Sequence, residues 1–152
     1  MLVFFFLLVC AVLIEVIFLQ SFFKPGFIAP DIVLFLLLTK AYFHGRQTLL
    51  WAVFSGVLLD LLTDTVGLGI TTQVFSLYFF LLVMERFLFR TALTFLATAG
   101  LTLLLKKILV LFLMKMKFSF EFSVGFLITS WIIELILLIS MYFIYLRRYE
   151  QA

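Results

Sequence analysis

Long apolar runs are the feature that most constrains how this chain folds. Hydrophobic residues make up 66% of the 152 residues and charged residues only 12%, whereas soluble domains are about 45–50% apolar and about 25% charged. A membrane-spanning helix needs about 20 residues, so six spans use most of the chain. We therefore predict one all-α integral membrane domain over residues 1–152, a bundle of six transmembrane helices. The six runs are Leu2–Phe23, Asp31–Phe43, Thr48–Leu62, Gly67–Met84, Thr91–Met114 and Phe122–Leu146.

The second and third runs are shorter than the usual range of about 17–25 residues for a span. Three arrangements are open. Flanking polar residues could complete each crossing, the bilayer could be locally thin, or the two runs could form a re-entrant hairpin that enters and leaves the membrane on the same side. Lys24-Pro25-Gly26 and Pro30 are predicted to end the first helix, because proline cannot continue the helical hydrogen-bond ladder. Gly67 and Gly69 are predicted to form the turn after the third run, where Thr71 and Thr72 can cap the next helix.

Basic residues between the runs indicate the orientation. With the N-terminus inside, six basic residues fall on the inner side and three on the outer side. This bias favours cytoplasmic N- and C-termini. The net charge of +3 is explained in the same way and does not point to nucleic acid. The inner residues are Lys40, Arg46, Arg86, Arg90, Arg147 and Arg148, and the outer ones are Lys24, Lys115 and Lys117.

Ionisable residues inside the runs are the candidate functional groups. Counted along the helical rise from the inner face, Glu15 lies about 20 Å deep, Asp60 about 18 Å and Lys106 about 22 Å. We expect these three to share one layer, with Lys107 beside it, since an isolated charge at that depth costs at least about 2.5–3.5 kcal/mol. Glu134 is expected to lie apart, nearer the inner side.

Two further patterns support a buried polar layer. Thr94, Thr98, Thr102 and Lys106 recur every four residues, which makes one polar stripe that should face other helices or water. Gly56 precedes Asp60 by four residues on the same face, so a neighbouring backbone can approach the carboxylate closely. Structural pairing of these charges is favoured over transport or catalysis.

Signatures of common catalytic and metal sites are absent from the sequence. It contains no GxxxxGK[ST], HExxH or GxSxG motif. One histidine, His44, and one cysteine, Cys10, argue against a histidine- or cysteine-based metal site and an internal disulfide. We predict a non-enzymatic protein with no cofactor and no catalytic or metal-binding residue.

The order of motifs in residues 29–70 resembles MreD, the rod shape-determining membrane protein family of bacteria. In that family a proline followed by Asp or Asn opens an apolar helix, and a Gly-x-x-x-Asp helix and a glycine-containing turn follow. The matching residues here are Pro30, Asp31, Gly56, Asp60 and Gly67. The chain departs from the family at Ala52, where a glycine is common, and at 63–66, which read TDTV without the usual Gly and Pro.

The resemblance implies a scaffold of the cell-elongation machinery. MreD-like proteins act with the transmembrane helix of MreC and with MreB filaments, alongside RodA and a class B penicillin-binding protein that build peptidoglycan. A homodimer and contacts with membrane lipid are further expected partners.

Two alternatives remain open. The family is similar in architecture to the S components of energy-coupling-factor transporters, which suggests a small-molecule-binding transport subunit whose pocket is lined by Glu15, Asp60, Thr98, Thr102 and Lys106. The first run lacks the small-xxx-small pattern that such subunits use for docking. A proton- or cation-coupled carrier using Glu15 and Glu134 is the third reading.

Overall fold

Helices account for nearly all of the chain that the computed structural model describes, which is residues 2–19, 31–64, 67–86, 91–117 and 124–143. None of these residues forms a strand, so the all-helical prediction is confirmed for this part of the chain. Two helices, Leu68–Arg86 and Leu93–Leu113, are long and apolar enough to cross a membrane. Leu2–Ile17 and Leu127–Ser140 are shorter apolar helices.

The helices follow the apolar runs closely. The first one, α1, continues directly into a π-helical segment, and a short 3₁₀ turn joins α2 to α3. The elements are α1 Leu2–Leu13, the π-helix Ile14–Leu19, α2 Ile32–His44, the 3₁₀ turn Gly45–Gln47, α3 Thr48–Thr63, α4 Leu68–Arg86, α5 Ala92–Lys117 and α6 Val124–Met141.

Helix α2 is short and lies in the centre of the bundle. Its side chains at Val33, Leu34, Leu37 and Leu38 are completely buried, and it contacts α1, α3, α4 and α5. At 13 residues it is about 20 Å long, well short of the roughly 30 Å hydrocarbon core of a bilayer. At Gly45 the chain adopts a φ of 59°, a conformation that glycine accepts readily, and α2 ends there.

The turn between α3 and α4 differs from the sequence prediction. Asp64 takes the left-handed conformation, with a φ of 54°, and its N–H donates to the carbonyl of Asp60. Gly67 has a φ of 81°, so it belongs to the turn as predicted, but Gly69 lies inside α4. Thr71 and Thr72 are also within α4, where their hydroxyls donate to carbonyls one turn earlier instead of capping the helix.

Helices α3 and α4 form the most extensive helix pair, and Gly56 is the point of closest approach. A Cβ atom added to Gly56 would lie 2.5 Å from the Cα of Ile70, and one added to Gly69 would lie 2.9 Å from the carbonyl oxygen of Gly56. The two backbones therefore touch with no side chain between them, which is how small residues bring membrane helices together.

We expect Gly56→Ala to lower the free energy of unfolding in detergent by about 1–3 kcal/mol, because the added methyl group must push α4 away. The matched control is Gly100→Ala. A Cβ atom at Gly100 meets only the end of the flexible Leu135 side chain, at 2.8 Å, so its effect should stay within about 1 kcal/mol. Thermal unfolding of both variants tests this, and equal effects would contradict the close contact.

Candidate functional site

Asp60 caps the N-terminus of the neighbouring helix α4. Its two carboxylate oxygens accept hydrogen bonds from the backbone N–H groups of Gly69, at 2.6 Å, and Ile70, at 3.1 Å. Because these N–H groups lie in the first turn of α4, they have no partner within the helix. The carboxylate also sits at the positive end of the α4 dipole. This contact explains why an aspartate is placed in an apolar run.

Three carboxylates from three helices surround the N-terminus of α2. Glu134 accepts from the N–H of Asp31 at 3.0 Å, and Glu15 accepts from the N–H of Val33 at 3.2 Å. Asp31 accepts from the N–H of Leu34 at 2.8 Å, as an N-cap residue does. The start of α2 is therefore bound to α6 and to the π-helical segment after α1.

Two lysines of α5 neutralise this group of acids. Lys106 forms an ion pair with Asp31, and Lys107 forms one with Glu134, with 3.0 Å between Nζ and Oε1. Lys107 also donates to the hydroxyl of Ser130. We call Glu15, Asp31, Lys106, Lys107 and Glu134 the charged cluster.

The charged cluster is partly shielded from solvent. Glu134 is fully buried, and Lys106 is 8% exposed. Glu15, Asp31 and Lys107 are half-buried. Three carboxylates face two ammonium groups, so the cluster carries one excess formal negative charge, which the partial positive charge of about +0.5 at the α2 N-terminus partly offsets.

The predicted layer is therefore corrected in two places. Asp60 was expected beside Glu15 and Lys106, but its carboxylate is directed to the first turn of α4, and Asp31 pairs with Lys106 instead. Glu134 was expected to lie apart, yet it contacts both Asp31 and Lys107. The reason is where α2 begins, because the side chain of Asp31 at its start is only 13% exposed and lies inside the bundle.

The remaining predicted residues have separate positions. Thr98 and Thr102 are buried on α5, and their hydroxyls donate to the carbonyls of Thr94 and Thr98. They lie on the inward side of the bundle, as the stripe predicts. Pro30 lies outside the described residues. Among the described residues, no group of three His, Cys, Asp or Glu side chains is arranged to hold a metal ion.

Sequence reasoning had a usable signal for one of the missed contacts. The second run begins at Asp31, and an aspartate directly before an apolar helix is a typical N-cap, so this residue could have drawn attention to acceptors for the other N–H groups of that helix start. No local signal identifies Glu134, because its partners are more than 25 residues away along the chain.

Charged residues at the opposite end of the bundle are arranged differently. Arg46, in the 3₁₀ turn, forms a bidentate ion pair with Glu85, with contacts of 2.8 and 2.7 Å. This hydrogen bonding raises the pKa of the exposed Arg46. Lys40 stacks over the rings of Phe4 and Trp51, 3.6 and 4.4 Å from their centroids, as a cation–π contact requires.

The capping role of Asp60 leads to a first mutational test of the site. Asp60→Leu should destabilise the protein by about 1–3 kcal/mol for each N–H left without an acceptor, and Asp60→Asn should cost less because one acceptor oxygen remains. Hydrogen exchange should become faster in the first turn of α4. Asp64→Asn is the control, since Asp64 is exposed and asparagine tolerates the left-handed conformation.

A double-mutant cycle tests the ion pair between α5 and α6. Lys107→Met should destabilise by about 3–5 kcal/mol, because it leaves the Glu134 charge buried and unpaired. Adding Glu134→Gln removes that charge but keeps an acceptor for the Asp31 N–H, so the double variant should recover most of the loss. Additive losses in thermal unfolding would show that the two side chains are not coupled.

Comparison with known proteins adds no relative: no protein-family model matches the chain, and neither the curated proteins nor the solved structures contain a match.

Proposed function

We propose that this chain is a non-enzymatic, multi-pass membrane scaffold of the bacterial cell-elongation machinery, acting as the MreD proteins that its sequence resembles. In this role it binds the transmembrane helix of MreC and helps to couple MreB filaments to peptidoglycan synthesis by RodA and a class B penicillin-binding protein. The supporting observation is that Gly56 and Asp60, two residues of the resemblance, join α3 to α4 at backbone contact.

The contacts of the charged side chains within the bundle support a scaffold over an enzyme. Asp60 caps α4, and both lysines of the charged cluster are engaged in ion pairs. Side chains held in this way fix the positions of helices relative to one another, which is one established use of buried polar contacts. A rigid block of helices is what a docking partner for another transmembrane helix requires.

The proposal includes a membrane topology. All six helices lie in the cytoplasmic membrane, α4 and α5 cross it fully, and α2 and α3 form a shorter hairpin packed against them. The termini face the cytoplasm. The pairing of Arg46 with Glu85 supports this arrangement, because it puts the α2–α3 connection beside the end of α4, on the side richer in basic residues.

One observation favours the small-molecule-binding alternative. The second carboxylate oxygen of Glu134 is buried and has no hydrogen-bond partner among the described residues. An S-component-like subunit could use such an oxygen to bind a ligand with a donor group. In that case a panel of vitamins would contain a compound that raises the melting temperature of the purified protein, and Glu134→Gln would abolish the shift.

Co-purification with MreC of the same organism tests the scaffold. Tagged wild-type protein should retain MreC through solubilisation in mild detergent, Asp60→Leu should retain much less, and the control Asp64→Asn should retain the wild-type amount. Absence of MreC from the wild-type preparation would contradict the scaffold itself. If Asp60→Leu retained the wild-type amount of MreC and had the wild-type melting temperature, only the structural role proposed for Asp60 would be contradicted.

The neighbouring gene provides an independent test. An adjacent open reading frame that encodes one membrane span, a coiled coil and an outer β domain is the expected arrangement for an MreC partner. A neighbouring ATPase pair of the transporter type would contradict the scaffold and favour the alternative.

A further inference from the structure

A group of uncharged polar side chains is buried between α4 and α5, apart from the ion pairs described above. Gln73, Ser76 and Thr102 are fully buried, and Thr98 is 4% exposed. Such groups are costly in apolar surroundings unless they are hydrogen-bonded. Neither the capping contacts nor the charged cluster uses them.

The packing of α4 against α5 places these side chains opposite one another. The rings of Phe80 and Phe95 are in contact, with centroids 5.9 Å apart, and this contact sets the register of the two consecutive, antiparallel helices. Gln73 lies seven residues before Phe80, and Thr102 lies seven residues after Phe95. Since seven residues are about two helical turns, Gln73 and Thr102 share the contact face and the same level.

The same register puts Ser76 beside the small, fully buried Ala99. Ser76 lies four residues before Phe80, and Ala99 lies four residues after Phe95. Both side chains are small, and their level is directly next to that of Gln73 and Thr102, so this part of the contact between the helices contains little side-chain bulk.

Hydrogen bonding in this space is incomplete. Both polar atoms of the Gln73 amide and the hydroxyl of Ser76 have no partner in the part of the chain that the structure describes. Thr98 and Thr102 donate their hydrogens to backbone carbonyls, so their oxygens can still accept. Each buried group without a partner costs about 1–3 kcal/mol.

We propose that Gln73, Ser76, Thr98 and Thr102 form an internal hydration site that holds ordered water between α4 and α5. Water fits this site better than a larger ligand for two reasons. The side chains are closed off from the surface, and they offer donors and acceptors but no charge, which is what a buried water with about three hydrogen bonds needs.

The position of the hydration site gives it a function beyond filling space. Thr102 is one helical turn, about 5–6 Å along the axis, from Lys106, which is paired with Asp31. Water at Gln73 and Thr102 therefore extends towards the charged cluster. It provides polarisable molecules that lower the cost of keeping these charges away from bulk solvent.

Water–amide NMR on the full chain in detergent micelles tests the site. The sequence has four glutamines and no asparagine, so only four side-chain amides appear in a ¹⁵N spectrum, and Gln73→Leu identifies the Gln73 pair by its loss. The Gln73 protons should show cross-peaks to water with opposite signs in NOE and ROE spectra, the sign pattern of a long-lived bound water. The exposed Gln47 should show only exchange with bulk water.

A second pair of variants keeps the test decisive if Gln73→Leu does not fold. Ser76→Ala should shift the side-chain amide signals of Gln73, which identifies them, and should weaken their cross-peak to water. Ser140→Ala, on the exposed side of α6, should leave that cross-peak unchanged. Cross-peaks from Gln73 only to protein protons, such as those of Thr102, would overturn the proposal in favour of a dry contact. Cross-peaks to protons of neither protein nor water would overturn it in favour of another bound molecule.

Discussion

The structure depends on how backbone N–H groups are satisfied where a helix begins inside the bundle. The first N–H groups of any helix have no partner within it, and in apolar surroundings each unsatisfied group is expensive. This chain supplies carboxylates from other helices. Glu15 and Glu134 reach the start of α2, and Asp60 reaches the start of α4. The acidic residues in the apolar runs are therefore required by backbone geometry.

Carboxylates placed for capping create the need for the lysines on α5. Two or three acids near one helix terminus repel one another, and the terminus itself offsets only about half a charge. Lys106 and Lys107 provide the positive charge that the helix terminus lacks. These two adjacent residues form ion pairs with Asp31 and Glu134, respectively. The consequence is coupling: α2, α5, α6 and the segment after α1 meet in one cluster, and loss of one side chain of either ion pair removes the opposite charge from its partner.

Local patterns predicted the helices and the closest contact, but not which charges meet. The six runs correspond to the helices that the structure describes because each run is a long apolar stretch bounded by charged residues, Gly or Pro, which are the usual signals at the ends of a helix. Gly56 and Asp60 were recognisable as a pair, since a glycine one turn before a carboxylate lets the backbone of a neighbouring helix approach that carboxylate closely. The partner of Lys106 was predicted wrongly because the layer was built only from charges in the middle of the runs, whereas the side chain of Asp31, the first residue of its run, is only 13% exposed. The turn was misjudged at Gly69, whose position inside α4 is set by the long-range contact with Gly56 and Asp60.

The shortness of α2 connects these features. A helix of about 20 Å cannot reach both surfaces of a hydrocarbon core of about 30 Å, so in the proposed membrane placement one end has to lie inside. The end that lies inside is the N-terminus, because side chains with two acceptor oxygens are available there at Glu15, Asp31 and Glu134. In that placement the C-terminus reaches the membrane surface, where Gly45 ends the helix. A longer α2 would not need the carboxylates at its start, and without them the lysines of α5 would have no place in the bundle.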